Sequence, residues 1–342
     1  MIGMSDRMSK IVCFGEVLID FLAVRGAEPG APRAFLQFAG GAPANVAVAA
    51  ARLGAESQFV GMLGRDMFGD FLLDQLRRAG VGTDYVVRTS AANTALAFVA
   101  LDDKGERSFS FYRPPAADLL FRADDFQAAC FRDAAIFHVC SNSLTEHEIA
   151  ETTLMGMTLA REAGALISVD LNLRPALWPA RVDPTPRLWQ MLQMADLVKL
   201  AHNELDYLAA PLGGESAALQ KLFAGRARLV TVTNGAGALH WYTPATQGSV
   251  ATFSVRAIDT TAAGDAFVGG VLCSLAGRGV NRQTFVEFAA DAAAVEEVLR
   301  FGAASGALAT TRNGAFEAMP SRAEVNGLIQ EQWKHVQYSP TG

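Results

Sequence analysis

Residues 259–265 read Asp-Thr-Thr-Ala-Ala-Gly-Asp, and residues 266–277 continue as AFVGGVLCSLAG. Because residues 266–276 are apolar on every side and carry no charge, they predict a helix buried in the core. Residues 249–257, before the motif, contain several β-branched and aromatic residues, which predicts a strand. The motif is therefore expected to form a tight turn between a strand and a buried helix.

Such a turn directs several backbone N–H groups, and the positive end of the helix dipole, towards one point. A phosphate can bind at that point without a lysine. Asp265 falls in the first helical turn beside it, where a carboxylate can take a proton from an attacking hydroxyl. The alternative is that Gly264 only makes the turn and Asp265 only complements the helix dipole. The seven residues alone do not decide between the two.

A second glycine-rich helix start, GGAPANVAVAAARLG at residues 40–54, favours the first interpretation. With both motifs the chain resembles the ribokinase-like (PfkB) carbohydrate kinases, and within them the fructokinases. Residues 259–265 fit that family's motif D-T-x-small-small-G-D, and Gly40, Gly41 and Asn45 fit its amino-terminal glycine motif. The stretches GMLGRDMFGDFLLDQLRRAGV, FYRPPAADLL and DLNLRPALWP also match, so the resemblance extends over residues 11–325.

The composition is that of a globular protein, with 342 residues, 51% of them hydrophobic, and a net charge of −6. Charges of both signs are mixed without a basic stripe, which argues against a nucleic-acid partner. Glu16 and Asp20 interrupt the first apolar run, so we expect neither a signal peptide nor any association with a membrane. The four cysteines form no CxxC pair, and we expect reduced thiols in a cytoplasmic protein.

Strands and helices alternate in the second half of the chain. Strands are expected at 136–140, 166–170, 197–200 and 229–233, with a helix at 146–163. This alternation predicts a parallel sheet with helices on both faces, and ligands beyond the carboxyl ends of its strands. Polar residues that follow predicted strands are therefore expected to share one site: Asp170, Asn172 and Arg174; Glu204; and Thr233, Asn234 and Gly235.

A small second sheet is expected near the same site. Strands 94–101 and 107–113 flank Asp103-Lys104-Gly105, which predicts a hairpin. Together with strands around 18–24 and 35–38, the hairpin would cover the ligand as a lid. We interpret the chain as a single domain, residues 1–342, with lid strands inserted at about 18–39 and 94–114.

The lid is also expected to carry a homodimer interface. Residues 95–101 have no polar side chain, and a strand that is apolar on both faces must be covered twice. A twofold partner presenting the same sheet would supply the second cover. The alternative is a monomer whose lid is backed by its own helix, residues 68–78.

The resemblance implies an α/β fold, namely a ribokinase-like three-layer α/β/α sandwich with a mainly parallel sheet and a small β-sheet lid. It implies an ATP-dependent kinase that transfers the γ-phosphate to a primary hydroxyl of D-fructose, with fructose 6-phosphate as product, and uses Mg²⁺ and, as a monovalent cation, K⁺. A kinase for 2-keto-3-deoxygluconate or another small sugar is the alternative within the class. An inactive sugar- or nucleotide-binding regulatory relative is the alternative outside it, although such a protein would be expected to lose Gly264 or Asp265. A Rossmann oxidoreductase is disfavoured because the dinucleotide fingerprint is missing.

The resemblance also implies roles for particular residues. The catalytic group would be Asp265, Gly264, Ala263, Ala262 and Arg174. The sugar-binding group would be Asp20, Gly40, Gly41, Asn45, Arg113 and Asn172. The nucleotide-binding group would be Thr233, Gly235, Gly237 and Gly264. The metal-binding group would be Glu204, for Mg²⁺ directly or through water, and Asp259 with Thr261 for the monovalent cation.

Four of these residues also have ordinary structural interpretations, which for Glu204 is an exposed glutamate at the start of a helix. Asp20 and Asn45 lie among apolar neighbours and need hydrogen-bond partners, which sugar hydroxyls would supply. Their alternatives are a solvated strand position and a surface asparagine. For Arg113 the alternative is a surface ion pair with Asp118.

The chain departs from the family pattern at four alanines. Ala262 stands where many relatives have glycine, and a positive φ there would cost about 1 kcal/mol. Ala201 replaces the asparagine of an Asn-x-x-Glu motif. Ala238 and Ala303 replace a nucleotide-loop glycine and an adenine-side asparagine. We therefore expect ATP to be held more by backbone groups than by side chains.

Overall fold

The computed structural model describes residues 9–24, 32, 34–101 and 107–337. The strands, in chain order, are β1 Lys10–Phe14, β2 Leu18–Ala23, β3 Phe35–Gly40, β4 Ser57–Gly64, β5 Gly82–Thr89, β6 Leu96–Leu101, β7 Arg107–Tyr112, β8 Ala134–Cys140, β9 Leu166–Asp170, β10 Leu197–Ala201, β11 Leu229–Thr233, β12 Leu239–Tyr242 and β13 Gln247–Val250. The α-helices are α1 Ala42–Arg52, α2 Met67–Arg78, α3 Ala128–Phe131, α4 His147–Glu162, α5 Thr185–Met194, α6 His202–Ala209, α7 Glu215–Ala224, α8 Ala263–Gly277, α9 Phe285–Ala290, α10 Ala292–Ala309 and α11 Arg322–Gln337.

The larger of the two described sheets has the order β13-β12-β11-β10-β9-β8-β1-β4-β5. Neighbouring strands from β11 to β5 are parallel, whereas β12 and β13 extend the sheet in antiparallel fashion. The central strands are buried along nearly their whole length, as expected for a parallel sheet with helices on both faces. The predicted mainly parallel sheet is confirmed.

Two apolar cores lie on opposite faces of this sheet. Along β1, Ile11 and Cys13 face one core, and Val12 and Phe14 face the other, which is the alternation of a strand covered twice. Helices α1, α8 and α10 pack in the first core, while α4, α5 and α6 pack in the second. The sheet between two helical layers is the predicted three-layer sandwich.

The smaller sheet has the order β3-β2-β6-β7, so the four strands expected in the lid do pair with one another. Strands β6 and β7 are antiparallel, as a hairpin requires, and the predicted turn at residues 103–105 lies outside the described residues. Phe21 and Phe98 are register partners with ring centroids 5.1 Å apart. Phe68 of α2 packs edge-on against Phe21, so the chain's own helix covers part of this aromatic face.

Two features of the fold differ from the sequence-based expectation. The strand predicted over 249–257 is wrong beyond Val250, where β13 ends; five of the residues from 251 to 257 line a cavity instead of pairing in a sheet. Strands β5 and β12 were not predicted, although both belong to the large sheet and β5 forms one of its edges. Among the described residues, no helix combines the length and apolarity needed to cross a bilayer.

Candidate active site

The motif at 259–265 forms the expected turn into a buried helix. Asp259 holds the turn, since its carboxylate accepts hydrogen bonds from Thr261 N at 2.7 Å and from Gly314 N at 3.3 Å. Ala262 is the N-cap of α8 and has φ 58°, so the positive φ considered for this alanine is present. Helix α8 then begins at Ala263; Ala263 N donates to Thr260 O at 3.4 Å and Ala266 N donates to Ala262 O at 2.8 Å, which leaves the amides of Gly264 and Asp265 between them. They are available to an anion at this point.

Asp265 lies in that first turn, buried, and accepts a hydrogen bond from Asn45 Nδ2 at 2.7 Å. Burial is the main cause that raises the pKa of Asp265 to about 7, and the charge of Asp170 acts in the same direction. The hydrogen bond from Asn45 and the charges of Lys199 and the exposed Arg174 lower this pKa. A carboxyl that titrates near neutrality is suited to accepting a proton at physiological pH.

Lys199 is a site residue that the sequence-based reasoning missed. Its Nζ lies 3.0 and 3.1 Å from the two carboxylate oxygens of Asp170, on the neighbouring strand. A Cβ added to Gly264 would lie 3.1 Å from the same Nζ, so the ammonium group adjoins the start of α8. Burial lowers the pKa of Lys199, but Asp170, Glu204 and Asp265 together outweigh it, and the pKa is raised. A lysine in the middle of the apolar strand LVKLA was the signal that could have found it.

Glu204 fastens the loop after β9 to the start of α6. Its Oε1 accepts a hydrogen bond from Leu173 N, and its Oε2 accepts one from Ala201 N, both at 2.7 Å. Asn172, just before Leu173, is buried with φ 40°, a backbone conformation that asparagine tolerates better than most residues. Because each oxygen of Glu204 already serves a backbone amide, the arrangement fits a metal contact through water better than a direct one.

A cavity of about 640 Å³ opens beyond the carboxyl end of β11, between α8 and α10. This volume is in the range of small-molecule sites. Gly235 has φ 53°, and Gly237 N donates to Asn234 O at 2.7 Å, which closes the loop after β11. The cavity is lined on one side by Thr233, Asn234, Gly235, Ala236 and Leu239, along the following chain by Thr252, Phe253, Ser254, Val255, Ala257 and Thr260, and on the helices by Ala263, Gly264, Phe267, Ala303, Gly306, Ala307 and Thr310. The predicted nucleotide loop and the predicted anion site thus share one cavity.

The glycine pair before α1 is required by close packing. A Cβ on Gly40 would lie 2.1 Å from Asp20 Oδ2, so the carboxylate of Asp20 occupies the space that a side chain would need. Gly41 has φ 107°, and its Cβ would lie 2.6 Å from Glu16 O. The structure therefore brings Asp20 against Gly40 and leads directly into the helix that carries Asn45.

Arg113 is buried, and its contact with a sugar stays a prediction. Its side chain is 2% exposed, and its Nε and Nη2 lie 2.8 and 2.6 Å from Asp118 Oδ2. Nη1 donates to Asn142 O at 2.7 Å. The ion pair with Asp118 is present, but it does not lie on the surface, because both partners are buried.

Comparison with known proteins identifies the family. The sequence pattern described as "pfkB family carbohydrate kinase" matches residues 8–322. The chain belongs to this family. The resemblance drawn from the two glycine-rich motifs is therefore confirmed, and with it the ribokinase-like fold.

Individual PfkB relatives cover almost the whole chain. Fructokinase-1 of Zea mays is 42% identical over 329 residues, which are 96% of this chain and 100% of the relative. A crystal structure of fructokinase with bound ATP from Xylella fastidiosa has a TM-score of 0.91 and 59% identity, covering 95% of this chain and 99% of that one. A fructokinase double mutant from Vibrio cholerae O395, with fructose, ADP and potassium ion bound, has a TM-score of 0.84 and 32% identity, covering 95% and 100%.

Proposed function

We propose that the protein is an ATP-dependent kinase that transfers the γ-phosphate to the primary 6-hydroxyl of D-fructose. The observation that carries the proposal is the position of Asp265: a buried carboxyl with its pKa raised to about 7, in the first turn of a helix whose start borders a 640 Å³ cavity. The names of the relatives support fructose as the sugar.

In the proposed reaction, Asp265 accepts the proton of the sugar hydroxyl. The hydroxyl oxygen forms a bond to the γ-phosphorus while the bond from that phosphorus to the β–γ bridging oxygen breaks, which leaves ADP. The backbone of Ala262, Ala263 and Gly264 faces the charge that develops on the transferred group, and each such amide contributes about 3 kcal/mol in comparable sites. Lys199, and Arg174 at the edge of the site, add positive charge there.

We assign the sugar to the side of the site formed by β2 and α1. The buried Asn45 Oδ1 makes no hydrogen bond within the described part of the chain, and a sugar hydroxyl would satisfy it. Asp20, Gly40 and Gly41 adjoin the same helix start, and Asn172 lies in the loop held by Glu204. We also keep Arg113, which is buried against Asp118, as a proposed sugar-binding residue.

We assign ATP to the cavity, with Thr233, Gly235 and Gly264 against it and Gly237 shaping the loop. The apolar walls, including Ala303, Leu239 and Phe253, suit the flat base. Ala303 supplies no side-chain hydrogen bond to the adenine, in line with the expectation that backbone groups dominate.

Magnesium and potassium are the cations that we expect to accompany ATP. Glu204 would hold Mg²⁺ through water, since its oxygens already accept two backbone amides. When bound, Mg²⁺ neutralises phosphate charge during transfer. We assign the monovalent cation to the turn of Asp259 and Thr261; potassium ion is present in the Vibrio cholerae relative. The proposed proton transfer to Asp265 does not depend on where either cation binds.

For the whole protein we propose one kinase domain that forms a homodimer through the smaller sheet. Phe35 is 40% exposed and Tyr112 is 67% exposed on either side of Phe98, whose ring contacts both. A partner sheet would bury these rings. The four cysteines are buried free thiols, which fits the reducing cytoplasm that we propose as its location.

A coupled assay for ADP release tests the proposed activity, with Mg·ATP and, in parallel, fructose, ribose, glucose and 2-keto-3-deoxygluconate. We expect the highest kcat/KM with fructose and a product whose phosphate is on carbon 6 by NMR. A higher kcat/KM with 2-keto-3-deoxygluconate than with fructose would show that 2-keto-3-deoxygluconate is the preferred substrate. Sugar binding by calorimetry without turnover of any sugar would indicate an inactive binding protein.

A further inference from the structure

Glu16 lies in the short link between β1 and β2, where the chain passes from the large sheet into the small one. Glu16 is only 2% exposed, and it has none of the roles assigned above. A carboxylate in such a place is stable only with compensating partners. The partners of Glu16 show what it holds together.

The first partner is the start of α1. Glu16 Oε1 accepts a hydrogen bond from Ala42 N at 3.2 Å, and Ala42 is the first residue of α1. Helices need a side-chain acceptor at this end, but the N-cap residue of α1 is Gly41, which has none. Glu16 therefore caps α1 from another segment of the chain, and burial raises the pKa of its carboxyl.

The second partner is Asn142, which is held from two sides. Its side-chain Nδ2 donates to Glu16 Oε1 at 2.9 Å, and its backbone carbonyl oxygen accepts a hydrogen bond from Arg113 Nη1 at 2.7 Å. Arg113 follows β7 directly, where the chain leaves the small sheet, and is paired with Asp118. This buried network joins the entry to the small sheet, the exit from it and the start of α1.

The network is close to the reacting groups without touching them. One turn after Ala42, Asn45 Nδ2 donates to Asp265 Oδ2 at 2.7 Å. Gly41 packs closely against the backbone of Glu16. A Cβ added to Gly41 would lie 2.6 Å from Glu16 O. A displacement of Glu16 would therefore move the first turn of α1, and Asn45 with it.

We propose that Glu16 is a positioning residue for phosphoryl transfer, acting by fixing the first turn of α1 against the link from β1 to β2 and against the segment that follows β7. This inference rests on the proposed function. Its effect falls on the sugar side, because Asp20, Gly40 and Asn45 belong to the elements that Glu16 joins. The nucleotide side is built from the loop after β11 and from α8 and α10, which Glu16 does not contact through any of these hydrogen bonds.

Kinetics of Glu16→Ala and Glu16→Gln, with Asp196→Ala as matched control, test this role. Asp196 is also a buried carboxylate that accepts a backbone amide, from Ile167 at 2.9 Å, and pairs with an arginine, Arg161, but it lies at the amino end of β10, away from the site. We expect Glu16→Ala to raise the KM for fructose about tenfold and to leave the KM for ATP within about twofold. Glu16→Gln keeps an acceptor oxygen and should recover most of the loss. Asp196→Ala should lower the melting temperature and change neither KM.

Two results would overturn the role of Glu16. One is a Glu16→Ala protein with reduced stability but an unchanged KM for fructose; the other is an equal rise in both KM values. If Glu16→Ala does not fold, Asn142→Ala decides, because it removes only the amide that donates to Glu16. A KM for fructose raised about threefold or more supports the role, and an unchanged KM rejects it. A wild-type protein without kinase activity would instead reject the proposed function.

Discussion

Asn45 Nδ2 lies 2.7 Å from Asp265 Oδ2, although the two residues are 220 positions apart in the chain. The contact joins the two glycine-rich motifs of the sequence, one at the start of α1 and one at the start of α8. It also sets the chemistry of Asp265, because a hydrogen bond to the charged form lowers a carboxyl pKa. The proposed sugar-binding residue and the proposed base therefore act on each other before any ligand is present.

Replacing Asp265 with Asn should lower kcat by a factor of about 100 or more while fructose and ATP still bind. The amide keeps the shape of the side chain but cannot accept the proton. The coupled assay gives kcat, and calorimetry gives the two dissociation constants. A variant that keeps more than about a tenth of the wild-type kcat would show that Asp265 is not the base.

The pH dependence of kcat/KM should report the raised pKa of Asp265. Below about pH 7 the carboxyl is protonated and cannot act as a base, so activity should fall about tenfold per pH unit and level off above that pH. Asn45→Ala removes a hydrogen bond that lowers this pKa, so its acid limb should move to higher pH. An acid limb that stays in place, or moves to lower pH, would contradict the assignment.

The same pKa makes the stability of the unliganded protein depend on pH. An unfolded aspartate titrates near about 4, whereas Asp265 in the folded protein titrates at about 7. The stabilisation is fully present below the unfolded pKa and is lost as pH rises through the folded pKa, because the buried carboxyl favours its neutral form. As the pH rises from about 4 to about 7, the wild type should therefore lose stability relative to Asp265→Asn. The measurement is the free energy of unfolding of both proteins in urea. Parallel curves for the two proteins would argue against this shift.

Asp20→Ala should raise the KM for fructose about tenfold and leave the KM for ATP nearly unchanged, because a buried sugar hydroxyl would lose its partner. Gly40→Ala should likewise raise the KM for fructose and leave the KM for ATP nearly unchanged. Its new Cβ would lie 2.1 Å from Asp20 Oδ2 and would therefore displace that carboxylate. Steady-state kinetics with each substrate varied in turn give both constants. An equal loss for fructose and ATP would indicate misfolding.

Light scattering at micromolar concentration should give a mass near twice the 36.3 kDa of one chain. Phe98→Glu places a charge among the exposed aromatic rings of the smaller sheet and should halve that mass. A fully active wild-type species of one chain mass would reject the dimer. In that case Phe68 of α2, which packs on Phe21, would cover the aromatic face of the smaller sheet.

The sequence predicted those parts of the site that depend on local pattern. The strands 166–170 and 229–233, the turn at 259–265 and the polar residues after the strands all follow from short-range signals of apolar runs and small residues. The common edge of a parallel sheet then brings such residues together. This is why Thr233 and Gly264 could be expected to line one cavity.

The parts that could not be predicted depend on register and on packing between distant segments. Lys199 meets Asp170 because β10 and β9 align those two residues, which no pattern within either strand specifies. Arg113 forms a buried ion pair with Asp118, whereas the sequence suggested an ion pair on the surface as its alternative role. Residues 251–257 have the composition of a strand, yet five of them line a cavity and none of the seven is buried, so composition alone did not decide whether this segment pairs in a sheet.

The packing of α1 against α8 has a consequence for synthesis. Nine of the eleven residues of α1 are buried, and among their neighbours is α8, where Ala49 Cβ would lie 2.4 Å from a Cβ on Gly269. While the protein emerges from the ribosome, α1 leaves the exit tunnel long before this cover exists. Its alanine- and valine-rich surface is then exposed to water and to other nascent chains. The amino-terminal half should therefore depend on molecular chaperones until α8 has been made, and fragments that end before residue 263 should aggregate.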